Sequence, residues 1–156
     1  MKYQTGEPGR IVVARFEDGD QILDGIKEIV KKENVRAGVF YLVGGMKGGR
    51  FVVGPESEAM PPVPVWRELN ESHEIVGIGT IFWHGDEPKL HFHGAYAKKD
   101  SVKAGCMREK AETFLVVEAI IIEIRGVNAG RELDQESGML LLKLQSGVSR
   151  SPGVIS

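Results

Sequence analysis

His73-Glu74-Ile75-Val76-Gly77-Ile78-Gly79-Thr80-Ile81-Phe82-Trp83 is rich in β-branched and aromatic residues. It is followed by His84-Gly85-Asp86-Glu87-Pro88 and then by Lys89-Leu90-His91-Phe92-His93-Gly94-Ala95-Tyr96-Ala97. Two β-prone runs around a short Gly/Asp/Pro segment read as a hairpin. Strand side chains alternate faces, so on the second arm His91 and His93 share one side while Leu90 and Phe92 take the other. Two imidazoles on one rigid face suit a metal ion. The only cysteine, Cys106, follows thirteen residues after His93, and it is the natural third ligand for a zinc site with an open fourth position. Spacing alone also allows the imidazoles to be solvated residues on a half-polar strand.

Working outward, the rest of the chain is also strand-rich. Ile11 to Phe16 is a β-branched run, and the polar turn Glu17-Asp18-Gly19-Asp20 offers Asp20 as a helix N-cap. Ile22, Leu23, Ile26, Ile29 and Val30 then fall on one apolar helical stripe, with Lys31 and Lys32 at its C-terminal end. Ala37 to Val43 predicts a strand, Gly44-Gly45-Met46-Lys47-Gly48-Gly49 a glycine-dense turn, and Arg50 to Val53 a further strand. The Walker pattern is absent from that turn and no helix pattern follows it, which argues against a phosphate loop. Pro55 to Pro64 holds four of the seven prolines and predicts an extended loop or sheet edge.

Downstream of the hairpin, Asp100 to Ala111 predicts a short helix or an irregular crossover. Phe114 to Ile124 is apolar enough for a central strand, and Met139 to Leu144 predicts a last one. Glu118 stands out within Phe114–Ile124. A buried carboxylate is costly unless paired, hydrogen-bonded, protonated or ligated, so Glu118 faces a polar cleft, borders the histidine site, or lies on a wet sheet face. Trp83 and Phe82 read as packing residues, His84 as an exposed turn residue, and Gly77 and Gly79 as points of close backbone or subunit approach.

With 156 residues, 42% of them hydrophobic and 27% charged, the chain suits one domain over residues 1–145. A polar tail over 146–156 is expected to be mobile. A single cysteine excludes an intrachain disulfide, and the apolar core of a signal peptide is absent near Met1, so the expected compartment is the cytoplasm. No apolar run has the length of a membrane span. The net charge of −2 gives no global attraction for a polyanion. A local patch of Lys98, Lys99, Lys103, Arg108 and Lys110 reads as a solvated loop and helix surface.

The order of these segments carries further information. Val43-Gly44-Gly45-Met46-Lys47-Gly48-Gly49-Arg50-Phe51, Ser72-His73-Glu74-Ile75-Val76-Gly77-Ile78-Gly79-Thr80-Ile81, Leu90-His91-Phe92-His93-Gly94-Ala95 and Gly105-Cys106 follow one another. Together they resemble the plant and prokaryote conserved domain, also called the PD1-like or AT-hook-associated domain, over about residues 5 to 145. The resemblance implies an α/β (α+β) single domain, a largely antiparallel sheet packed with a few helices, assembled as a homotrimer. It also implies a divalent metal site, zinc above all, in which His91 and His93 match two family histidines and Cys106 stands where a histidine is usual. Cysteine binds zinc as a thiolate, which changes the charge and softness of the site. Glu109 and Glu118 fall where the family pattern often has Glu, which makes each a second-shell partner, general base or additional ligand.

Three functions follow as expectations. The first is a binding or regulatory domain that takes a small ligand at its metal. The second is a metal-assisted hydrolase with Glu109 or Glu118 as base. The third is a DNA-binding or transcription-associated protein. In plant members of the family the minor-groove contact comes from an AT-hook outside the domain, and this sequence has no such hook.

Overall fold

The structure is a computed structural model that describes residues 1–145; the expected tail lies outside the described residues. The elements run β1 (Glu7–Glu17), α1 (Ile22–Lys32), β2 (Ala37–Pro55), β3 (Pro64–His84), β4 (Glu87–Lys98), β5 (Ser101–Glu109), β6 (Thr113–Arg125), β7 (Ala129–Leu133) and β8 (Leu140–Leu144). The main sheet has the order β1-β6-β2-β3-β4-β5, antiparallel throughout, and β2 also pairs with β5. That extra pairing closes β2, β3, β4 and β5 into a ring. β7 and β8 form a separate two-stranded ribbon. The mainly antiparallel single-domain expectation is met, with one helix among the described residues rather than a few.

Two segments differ from their sequence reading. The glycine-dense stretch Gly44 to Gly49 is not a turn but the middle of β2, which runs unbroken from Ala37 to Pro55. Register shifts fall at Gly44/Gly45 against β6 and at Lys47/Gly49 against β3. Gly44 and Gly48 have φ of 141° and 87°, values that favour glycine. Such bulges bend a strand without ending it, so the first half of β2 pairs with β6 and its second half turns to meet β5. Asp100 to Ala111, expected as a helix or crossover, is largely β5. A two-residue turn at Lys99 and Asp100, with Lys99 at φ 53°, connects it to β4.

Helix α1 follows its apolar stripe, with Ile22, Ile26 and Val30 buried. Its start differs from expectation. Gln21 is the N-cap, without a side-chain cap bond, while the Asp20 carboxylate closes the preceding turn by accepting from the Glu17 N–H at 2.8 Å. Its end is a complete Schellman motif. Asn34 is left-handed at φ 51°, the Val35 N–H donates to the Val30 carbonyl, and the Asn34 N–H donates to that of Lys31.

The core combines the apolar face of the helix with the inward sheet residues Phe40, Phe51, Ile81, Phe92, Tyr96 and Met107. Phe40 and Phe92 stack at 5.6 Å, and Phe51 tilts against Tyr96 at 5.0 Å. Gly77 and Gly79 make room for these rings. A Cβ on Gly79 would enter the Phe40 ring, and one on Gly77 would enter that of Phe92. The close approach is therefore between strand and aromatic side chain. Phe40 has no exposed surface to move into, so Gly79→Ala is expected to destabilise by about 1–3 kcal/mol, the usual cost of overpacking. A urea unfolding curve measures this as a lower midpoint with unchanged slope.

An ionic clasp pins β1 to β6. Arg10 donates from Nε and its backbone N–H to Glu123 Oε2, both at 3.1 Å, and from Nη2 to the Glu33 carbonyl at 2.6 Å, while Arg125 adds a bond to Glu123 at 3.0 Å. These bonds, those from Arg10 above all, hold the Glu123 carboxyl down to about 2. A carboxyl depressed by folding stabilises the protein above its unfolded value, and this contribution is lost as pH falls towards the folded one. Glu123→Gln is expected to cost about 1–2 kcal/mol near neutral pH, as for hydrogen bonds to a charged group. The gap from the parent protein should close between about pH 4.5 and pH 2, read from melting temperatures across that range.

Candidate metal centre

The β3–β4 hairpin forms as its sequence suggests, with His84 opposite Glu87 around Gly85 and Asp86. On β4 the buried Phe92 and Tyr96 point into the ring, so alternation sends His91 and His93 to the outer face. On β5 the same alternation turns Met107 inward, against Phe92, and places Cys106 directly opposite His93. His91, His93 and Cys106 thus come together, their ligand atoms all within 4.8 Å of one another. The two imidazoles meet edge to face, with Nε2 atoms 3.0 Å apart.

The donor set fits a zinc-type ion. Two neutral imidazoles and one thiolate are ordinary zinc ligands, and three protein ligands leave a position free for water or a small molecule. Both histidines are exposed while Cys106 is buried, so the cluster is closed from beneath and open outward. Burial, followed by the charges of His93, Arg131 and Arg108, lowers the His91 pKa, which favours the neutral ring that a metal requires. Burial pushes the Cys106 thiol up, while Arg108 and Arg131 pull the other way. A bound cation would expel the thiol proton and supply Lewis acidity at the open position.

Arg108 and Arg131 were not among the ligand or catalytic candidates read from the sequence. Arg108 is the unpaired residue of a bulge in β5, where Arg50 pairs with Glu109 and Phe51 with Met107. Bulges of this kind re-aim side chains beside functional sites. Arg131 comes from β7, a strand the sequence reading did not include. Its Nη2 donates to Thr80 Oγ1 at 3.0 Å, and Thr80 is the β3 residue directly across from His91. His84 helps to position that strand by donating from Nδ1 to the Arg131 carbonyl at 2.8 Å.

The two acidic candidates are placed differently. Glu109 is near the end of β5, paired to Arg50 at 3.2 Å, and lines a groove that leads away from His93 and Cys106. The groove measures about 900 Å³ and includes Val52, Pro55, Pro62, Pro64 and Trp66 in its walls. Glu118 is exposed on β6, opposite Val43 and Arg15. It lies three strand positions from β4, about 14 Å at ordinary strand spacing, and so takes the wet-face alternative rather than bordering the histidines of its own chain.

Trp83 donates its indole N–H to the Val35 carbonyl at 2.8 Å and carries Arg36 over its ring, a packing role. Lys98, in the basic segment, is paired with Glu71. No helix among the described residues is long and apolar enough to cross a membrane.

Solved structures share this fold. A metal-containing protein from Archaeoglobus fulgidus is 20% identical, with a TM-score of 0.79 over 90% of this chain and 98% of that one. A plant- and prokaryote-conserved (PPC) protein from Pyrococcus horikoshii is 22% identical, with a TM-score of 0.79 over 94% and 100%. A protein from Ralstonia eutropha JMP134, named as a candidate DNA-binding protein, is 17% identical, with a TM-score of 0.71 over 85% and 90%. No curated protein matches the sequence at a significant level. The profile of the Plants and Prokaryotes Conserved (PCC) domain matches residues 3–125, most of the chain, and the chain belongs to that family.

Proposed function

We propose that this protein is a trimeric binding or regulatory domain holding one zinc-type ion per chain at His91, His93 and Cys106, with the open position available to a small ligand. The observation that carries this reading is the convergence of the three side chains on one outward face of a single hairpin. The metal-containing Archaeoglobus fulgidus protein of the same fold is consistent with it. A reducing compartment such as the cytoplasm keeps Cys106 available as a ligand.

Assembly is supported by the outer sheet face. One cross-strand row runs Cys106, His93, Ile78, Tyr41, Ile120, Val13, and the next runs Ala104, Ala95, Val76, Val43, Glu118, Arg15. The aliphatic residues and the tyrosine on strands β1, β2, β3 and β6 of these rows are between 44% and 76% exposed. A contiguous apolar face of this kind marks an interaction surface, and a second copy of the chain, repeated as a trimer, is the occupant that the family resemblance implies.

Elemental analysis of the purified, untagged protein tests the metal site. About one zinc per chain, absent from a His91→Ala/His93→Ala variant that keeps its fold, is the expected result. No metal after incubation with zinc would remove the reading. A DNA-binding role has the name of the Ralstonia protein in its favour. Against it stand the net charge of −2 and the engagement of Lys98 with Glu71. Duplex binding that weakens steeply with salt would support it, and none at low salt would end it. A hydrolase reading requires a carboxylate at the open position, and Glu109, on the groove beside Cys106, is the nearer of the two candidates.

A further inference from the structure

Arg131 is buried, with 8% of its surface exposed, yet no carboxylate pairs with it among the described residues. Its one side-chain hydrogen bond is to Thr80 Oγ1. A guanidinium has five N–H donors, so most of them lack a protein acceptor. No nitrogen of Arg131 is sealed from solvent without a partner, so the free donors open onto accessible space, and a largely buried guanidinium presenting donors there without a counter-charge suits an anion. Arg108, also without an ion-pair partner among the described residues, continues the β4–β5 register to the position across from His91, and the histidines add no negative charge. Cys106 is a thiol rather than a carboxylate, and Glu109, the acid on the adjoining groove, is engaged by Arg50 at 3.2 Å. A bound divalent cation would make the local field more positive still.

We infer that the counter-charge is supplied by a ligand: a small organic oxyanion, carboxylate or phosphate, whose head group sits between Arg131, Arg108 and the metal position. Guanidinium groups match both head groups through paired N–H donors. The groove lined by His93, Cys106 and Arg108, with Arg131 outside its walls, shows where the rest of the molecule goes. Its volume of about 900 Å³ is that of an ordinary ligand pocket. Beyond Arg108 and Glu109 its walls are apolar, formed by Val52, Pro55, Pro62, Pro64, Trp66 and Met139. The ligand is therefore amphipathic, with a charged head at the arginines and an apolar body against Trp66 and the prolines. The inference rests on the metal reading only for the third contact of the head group; the arginines and the groove stand without it.

The test is calorimetric titration of the full chain, zinc-loaded and zinc-free, at constant ionic strength. The probes are 4-phenylbutyrate, phenyl phosphate, the neutral 4-phenylbutan-1-ol and inorganic phosphate. At least one aryl anion should bind, and the alcohol should bind at least about tenfold more weakly. Arg108→Gln and Arg131→Met should each lose about tenfold or more for the aryl anion while keeping the zinc content of the parent. Trp66→Ala should weaken the aryl anion and leave inorganic phosphate unchanged. Ligand-free Arg131→Met should melt close to or above the parent temperature, because it removes a largely buried side chain's charge that has no counter-charge in the absence of ligand.

The inference is overturned if neither aryl anion binds, if the alcohol binds as well as the acid, or if Arg108→Gln binds as the parent does. Dissociation of the assembly in Arg131→Met would overturn it too, by assigning the counter-charge to a neighbouring copy. Relative preference for phenyl phosphate or phenylbutyrate assigns the head group. Zinc content is measured separately: an aryl anion that binds a protein unable to take up zinc upholds this inference and ends the metal reading. Zinc uptake without anion binding does the reverse.

Discussion

Cys106→Ser is expected to lower zinc affinity on the order of 10²–10³-fold, one ligand's share of the binding free energy typical of protein zinc sites. Serine fits the space, so the fold should survive, but an alcohol does not ionise as a thiol does. The site loses its one anionic ligand, directly across from His93. Cys106→His restores a three-donor set and should recover most of the affinity. With cobalt(II) in place of zinc, thiolate charge-transfer absorption should be present in the parent and absent from both variants. Competition against a chromophoric chelator gives the affinities, and an unchanged value in Cys106→Ser would exclude the sulfur as a ligand. A pH signature accompanies this. Burial raises the thiol and lowers His91, so near neutral pH zinc must displace the thiol proton while His91 is already free of its own. Parent affinity should rise about tenfold per pH unit between pH 7 and 8, and that slope should vanish in Cys106→His.

Ile78→Asp should convert the proposed trimer into monomers. Ile78 lies at the centre of the outer face, between His93 on β4 and Tyr41 on β2. It is about half exposed in the single chain, so a carboxylate there is tolerated by the fold itself. In an assembly that covers the face, the same carboxylate would be stripped of water among Tyr41, Val76 and Ile120, at a cost of several kcal/mol per copy. Sedimentation velocity on the parent and the variant reads the outcome. A variant that sediments with the parent would show that copies meet through another surface. The nearby Glu118 offers an internal comparison: it already carries a charge in the second row, opposite Val43. An interface through this face must therefore give that carboxylate a partner or leave it at a wet rim.

Much of this arrangement was legible in the sequence because it rests on local periodicity. The helical stripe from Ile22 to Val30, the hairpin around Gly85 and the outward side of His91 and His93 each follow from spacing within a few residues. The pairing of His93 with Cys106 was legible as chemistry before it was legible as geometry. The reading of Asp100–Ala111 as a helix or crossover missed β5, the strand that makes the two residues direct neighbours. β5 carries few strand-favouring side chains, and its turn at Lys99-Asp100 lacks the Asn-Gly or Asp-Gly signal of a hairpin. The glycines of β2 misled for a related reason. Glycine marks a turn and a bulge equally well, and only long-range pairing with β6 and β5 decides between them. Arg131 had no local signal at all. Its role comes from β7 lying against β3, where Thr80 receives it, a contact across 51 positions of sequence.

All three proposed metal ligands lie between positions 91 and 106 on one hairpin, connected by the two-residue turn at Lys99 and Asp100. An ion therefore has a foothold on the denatured chain as well as on the native one. Metal stabilises a protein only by the difference between its affinities for these two states. A short loop already holding two imidazoles and a thiol narrows that difference. Chelation should thus empty the site and leave the domain standing, with a melting temperature that moves less than the affinity alone would suggest. The Arg10–Glu123 clasp and the aromatic interior, rather than the ion, should then set the thermal limit of the molecule.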